Sequence, residues 1–148
     1  MSRIESMRAA LGGVHPLAAT KVKDHLEPYV AAFIRHAPFF VIATSNAAGD
    51  CDASPKGGRP GFVQIVDERT LLIPDYGGNR LFQGYENFES NPKAGLVFMI
   101  PGLDITARVN GRVEVLELAD LEQRGVLDAV RHPDPSAGLV QGFLLHID

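Results

Sequence analysis

The 148-residue chain has no tryptophan, and its single cysteine, Cys51, excludes an intrachain disulfide. The expectation is a reducing compartment, the cytoplasm. Cys51 follows a Gly49-Asp50 turn and carries no local motif, so a thiol nucleophile is not favoured. Long apolar runs are also missing. None approaches the roughly 20 residues that cross a bilayer. The charged, polar start, Met1 to Arg8, lacks the apolar stretch of a secretory signal. No membrane partner is expected. Positive charge is not in excess: the formal net charge is -4, which argues against nucleic acid as a partner. The aromatic residues fall at core spacings and show no base-stacking pattern. His15, His25, His36, His132 and His146 are scattered, with no carboxylate or cysteine grouped around them, so no metal site is predicted. Neither Ser45 nor Ser54 sits in Gly-x-Ser-x-Gly, and no Gly-x-Gly-x-x-Gly follows a strand. Those serine hydrolases and Rossmann domains are not supported.

What is present is a chain 45% hydrophobic, enough for one domain over residues 1–148 with a substantial core. Helices are expected over about 2–36. Ser2 to Leu11 reads as the first, stopped by Gly12-Gly13. Val14 to Ala19, with Pro16, reads as a loop. Asp24 or Glu27 starts the next helix, with Leu26, Val30, Phe33 and Ile34 on one face and Pro28 in its first turn. Phe39 to Thr44 reads as a strand, Asn46 to Asp50 as a hairpin turn, and Asp52 to Ser54 as the return strand. A Gly/Pro-rich loop follows from Pro55 to Gly61. Phe62 to Val66 and Thr70 to Ile73 form a second hairpin. Arg80 to Phe88 reads as a helix with Leu81, Tyr85 and Phe88 inward. Ala94 to Ile100 is a continuous apolar strand. In Asp104 to Leu116, Val109, Gly111, Val113 and Val115 alternate with polar residues, the clearest period of two. Ala119 to Val130 reads as a helix and Leu139 to Ile147 as a last strand. Short strands at close spacing, about six, predict a mainly β chain with flanking helices, an antiparallel barrel.

Three groups of residues can carry chemistry. Gly77-Gly78-Asn79-Arg80 leaves a strand and opens a helix, offering backbone amides and a cation to a phosphate. The plain alternative is a turn with Asn79 as helix cap. Lys56, in Ser54-Pro55-Lys56-Gly57-Gly58-Arg59, can meet an anion or a heterocycle, or belong to a solvated basic loop. Thr106, Arg108 and Arg112 share the polar face of the long strand. There they can face a ligand, or an arginine can pair with Glu114 or Glu117.

Taken in order, several segments resemble the pyridoxamine 5'-phosphate oxidase-like flavoproteins, the FMN-binding split-barrel family. They are Ser54-Pro55-Lys56-Gly57, Pro60-Gly61-Phe62-Val63, Thr70 to Asp75, Gly77 to Arg80, Asn91-Pro92-Lys93-Ala94-Gly95-Leu96-Val97-Phe98 and Thr106 to Gly111. The resemblance runs from about Pro38 to Val115. It is to a subgroup other than the vitamin B6 oxidase, whose substrate-phosphate residues have no counterpart here. It implies a split β-barrel and a homodimer with two FMN sites at the subunit interface. Cofactor contacts are implied from Ser54, Lys56, Phe62, Val63, Pro74, Asn79, Arg80, Thr106 and Arg108. Of these, Lys56, Asn79 and Arg80 take the phosphate side, and Ser54, Thr106 and Arg108 the ring side. The implied activity is FMN-dependent oxidoreduction of an unidentified substrate, with a nicotinamide cofactor as a candidate reductant. The alternatives are a non-catalytic flavin-binding or storage protein, or a split barrel for haem or a deazaflavin. Subgroup members continue past the last strand into a His-Cys-x-Lys and Arg-Ser-x-Leu-Trp segment that is not found before Asp148. The expectation is an exposed, weakly held flavin.

Overall fold

The computed structural model describes residues 1–77, 81–124 and 138–148. Its N-terminal part holds α1 (Arg3–Ala10), α2 (Pro16–Lys21) and α3 (Pro28–His36). Ser2 and Glu5 close a capping box on α1, yet that helix buries no residue. α2 corrects the expected loop. Pro16 takes the first turn, where its missing N–H costs nothing, and the His15 ring accepts from the Leu17 amide. α3 starts after Glu27 with Pro28 in its first turn. It buries Ala31 and Ile34 beside Leu26, with Val30 and Phe33 partly covered.

The strands are β1 (Phe39–Ser45), β2 (Cys51–Gly57), β3 (Gln64–Asp67), β4 (Thr70–Tyr76), β5 (Lys93–Met99), β6 (Thr106–Glu117) and β7 (Leu139–Ile147). Helix α4 (Gln83–Ser90) lies between β4 and β5, and α5 (Leu118–Gln123) follows β6. The seven strands form one sheet, in the order β2-β1-β5-β6-β7-β4-β3, with every pair antiparallel. Gly49, at φ 92°, turns β1 into β2 in a backbone conformation that favours glycine.

The sheet curls. Phe40 and Ile42 of β1, Leu71 and Ile73 of β4, Leu96 and Phe98 of β5, and Phe143 and Leu145 of β7 share one core. Strands far apart in the sheet therefore meet across its inner face. The end strands β2 and β3 do not pair with each other, which leaves the barrel split. The fold is a mainly β antiparallel barrel with flanking helices, as the strand spacing predicts, and it is split, as the family resemblance implies.

A second, small core lies on the outer face, where Leu72, Leu116 and Leu144 pack with Leu121 of α5. It explains why β6 departs from strict alternation. Leu116 is buried there, whereas Val115 is left exposed. Gly111 permits the close approach of β6 and β7, because a Cβ there would collide with the His146 carbonyl. Among the described residues no helix is long and apolar enough to cross a membrane.

Candidate functional site

The split opens onto a cavity of about 420 Å³, within the roughly 300–1,000 Å³ usual for small-molecule sites. β2 supplies Ser54 to Gly57 to its wall, and β4 supplies Pro74, Asp75 and Tyr76. The entry to α4 adds Leu81 to Tyr85, and Ile42, Phe62, Phe88 and Phe143 line it as well. Among the described residues, neither flanking strand has a ladder neighbour on this side. β2 pairs only with β1, and β4 has no β3 partner beyond Leu72. Each edge carries a proline, Pro55 or Pro74, which removes a donor that no ladder would use. Part of the lining is an aromatic group: Phe88 and Phe143 lie 5.6 Å apart, and Tyr85 sits edge-on to them at 5.8 and 6.2 Å.

Polar groups gather at the edges. Lys56 Nζ lies 2.9 Å from Asp75 Oδ1, a partly buried ion pair across the split between strands that share no ladder. Ser54 Oγ donates to Asp52 Oδ2 at 2.6 Å. The Tyr85 hydroxyl is buried without a well-formed hydrogen bond to any described residue. Burial first, and the nearby Asp75 carboxylate second, push its pKa far above the ordinary tyrosine value. It is a neutral O–H donor at any physiological pH.

Two asparagines hold α4 in place. Asn87 Nδ2 donates to Thr44 Oγ1 at 2.8 Å, both groups buried, and Asn91 Nδ2 donates to the Ser45 carbonyl at 2.9 Å. The chain enters α4 through Phe82, whose φ of 50° is left-handed. For a bulky residue that costs about 1–2 kcal/mol. This strain sits in the cavity wall, as functional sites commonly allow.

The structure brings Ser54, Lys56, Phe62 and Pro74 to one cavity. Val63 is buried in the core instead of lining it. Thr106 and Arg108 are exposed on the outer face of β6, away from this cavity. Asn79 and Arg80 lie outside the described residues, as do Gly78 and the part of the expected Ala119–Val130 helix beyond Arg124. Three expectations are corrected. β2 runs on to Gly57, because Phe39 to Val41 of β1 extend the ladder opposite Pro55 to Gly57, so Lys56 is a strand residue. α4 begins at Gln83, since the left-handed Phe82 stops the helix from starting earlier. Leu81 therefore precedes the helix and is exposed. Of the two carboxylates offered as alternative partners for the β6 arginines, Glu114 or Glu117, Glu114 pairs with Arg124 and His146. Sequence reasoning assigned no role to Asp75 and treated Tyr85 as an inward core residue. A carboxylate ending a strand of an expected basic site was the one available signal.

The model of the pyridoxamine 5'-phosphate oxidase family matches residues 26–136. The chain belongs to this family. No curated protein is significantly similar to it. Among solved structures, it resembles a candidate pyridoxamine 5'-phosphate oxidase from Lactobacillus delbrueckii. The two are 20% identical with a TM-score of 0.64, covering 86% of this chain and 94% of the other. HupZ of Group A Streptococcus is 16% identical, with a TM-score of 0.62 over 83% of this chain and 90% of its own. An FAD-binding protein from Mesorhizobium loti is 18% identical, with a TM-score of 0.55 over 84% and 91%. At such identities these structures establish the split-barrel fold alone.

Proposed function

We propose that this chain is an FMN-binding flavoprotein and acts as an FMN-dependent oxidoreductase. The observation that carries the reading is the cavity at the split. It combines aromatic walls, free strand edges, a lysine and a neutral phenol, which suits a flat heterocycle with a polar rim. Phe62, Phe88 and Phe143 would shield the ring from water. Ser54 and the Tyr85 hydroxyl would orient its polar edge. Lys56 and the turn leaving β4 at Gly77, with Asn79 and Arg80 in sequence after it, would take the phosphate. The bound flavin supplies two-electron chemistry, and the protein holds and tunes it. A nicotinamide cofactor is the proposed reductant, and the cytoplasm the proposed compartment.

The same reading includes a homodimer. On the outer face of β1 and β5, Phe39, Val41, Val97 and Met99 are only half-covered, and Ala43 and Ala53 beside them are exposed. A second copy would cover this face in a two-fold contact. Thr106 and Arg108, on the adjoining strand, would then serve the partner's flavin rather than their own. Haem fits the cavity less well: among its usual axial ligands the described lining offers only Tyr76 and Tyr85, and burial raises the pKa of both, which disfavours the phenolate that would bind iron.

The deciding measurements are the absorption spectrum of the purified protein and flavin fluorescence titrations. FMN is expected to bind about tenfold or more tightly than riboflavin, since a phosphate site rewards the phosphate. Equal affinities would remove the phosphate assignment. A haem or deazaflavin spectrum would replace the FMN reading. Tight FMN without oxidation of reduced nicotinamide would leave a flavin-binding or storage protein.

A further inference from the structure

The cavity wall contains an ion pair whose two members would be treated in opposite ways by an anionic ligand. Lys56 is the only cationic side chain in the described lining, and Asp75 already occupies it at 2.9 Å. A phosphate brought to Lys56 meets a carboxylate at the same ammonium, and like charges that close repel. Asp75 is placed to yield. Among the described residues no β3 partner fixes it on the cavity-side edge of β4. The β4–β7 ladder is irregular between Asp75 and Tyr76, the kind of break that re-aims side chains near sites. Beside it lies the buried Tyr85 hydroxyl, already close enough to the Asp75 carboxylate to feel its charge, but not joined to it by a well-formed hydrogen bond. A buried donor gains most when such a bond is fully formed, and a small swing of Asp75 would complete it.

We propose that the anionic group of the ligand and Asp75 compete for Lys56, and that Asp75, once displaced, turns its carboxylate to the Tyr85 hydroxyl. Asp75 is then a specificity-determining residue. It holds Lys56 against weak or singly charged anions and yields only to a ligand whose phosphate outbids it. Tyr85 is the positioning residue that gives the displaced carboxylate somewhere to go. The inference rests on the reading of the cavity as the site of a phosphorylated cofactor, and it deepens that reading.

The experiment titrates FMN and riboflavin into the full-length protein, its Asp75→Asn and Tyr85→Phe variants, and the double variant. Asp75→Asn is expected to bind FMN about tenfold more tightly, with riboflavin affinity unchanged. Tyr85→Phe is expected to weaken FMN about threefold and leave riboflavin alone. In the Asp75→Asn background, Tyr85→Phe should have no further effect on FMN. Unchanged or weaker FMN binding by folded Asp75→Asn overturns the inference. So does an equal effect of Tyr85→Phe on both flavins. If Asp75→Asn fails to fold, Tyr85→Phe decides alone: the inference stands on a loss confined to FMN and falls on any other pattern. A wild-type protein that binds neither flavin removes the flavin reading and not this one. Inorganic phosphate then becomes the probe. It must raise the melting temperature of Asp75→Asn more than that of wild type, and an equal rise overturns the competition.

Discussion

The two faces of β1 and β5 belong to the same residues in alternation, and they have opposite fates. Inward, Phe40 and Phe98 are fully buried, with ring centroids 5.1 Å apart. Outward, one residue along, Phe39, Val41, Val97 and Met99 remain half-covered, and no described element of this chain packs over them with a core of its own. The chemistry of the two faces is almost the same, since both are aromatic and aliphatic. The difference lies in what each face meets. The inner face meets the rest of the curled sheet and specifies the fold. Among the described residues no element buries the outer face, and it is there that the proposed second copy would pack.

The largest effect expected from testing this contrast is on the inner face. Phe98→Ala removes a fully buried ring from the centre of the barrel. Loss of that burial, plus the cavity left behind, costs about 3–5 kcal/mol. Chemical denaturation should show it as a lower midpoint. A loss under about 1 kcal/mol would mean that the inner face is not the main core.

One position away, Val97→Arg should break a different thing. The side chain points outward, opposite Val41 and Arg108. In a two-fold interface the added charge appears twice and opposes burial on both copies. Dimer affinity should fall roughly 100-fold or more, about 2.7 kcal/mol. Sedimentation at micromolar concentration should shift from dimer to monomer, with the far-ultraviolet circular dichroism of a folded barrel retained. A wild-type protein already monomeric, or a dimer that survives the substitution, would show that this face is not the contact.

The sequence revealed the inner face far better than the site. Val109 and Val113 stand on a clean period of two, and the pattern alone identifies β6 as a strand with one buried face. The pattern fails at Leu116, because its cover is Leu121 on a helix that no local period connects to it. Phe39 and Phe40 are both aromatic, so composition could not say which faces inward. Val14 to Ala19 reads as a loop because proline is tolerated only at a helix start, and nothing nearby announces one. The Lys56–Asp75 pair was out of reach for a physical reason. Its members are on the two edges that do not hydrogen-bond, so no ladder register links them. Gly77 to Arg80 reads by residue type either as a phosphate turn or as a plain capped turn, and its Gly78, Asn79 and Arg80 lie outside the described residues.

The smallest expected effect sharpens the contrast within the outer face itself. Near α5 that face is partly covered, and there Glu114 accepts from His146 Nε2 at 2.9 Å and from Arg124 at 2.6 Å. The His146 ring first, with the Arg124 guanidinium after it, holds the Glu114 carboxyl below its ordinary value of 4.5, against an opposing effect of burial second only to His146. A carboxyl with a lowered folded-state pKa stabilises the fold above its unfolded pKa and loses that contribution as pH falls through the folded value. Glu114 is well exposed, so water screens the pair and the gain is at most about 0.5 kcal/mol. Glu114→Gln should therefore lower stability slightly at pH 7. The two proteins should converge in acid, at a pH below that of an ordinary glutamate. Denaturation curves at pH 7 and at pH 3 would show this. A difference that persists or widens at pH 3 would mean that packing under α5, not charge, ties Glu114 to the fold.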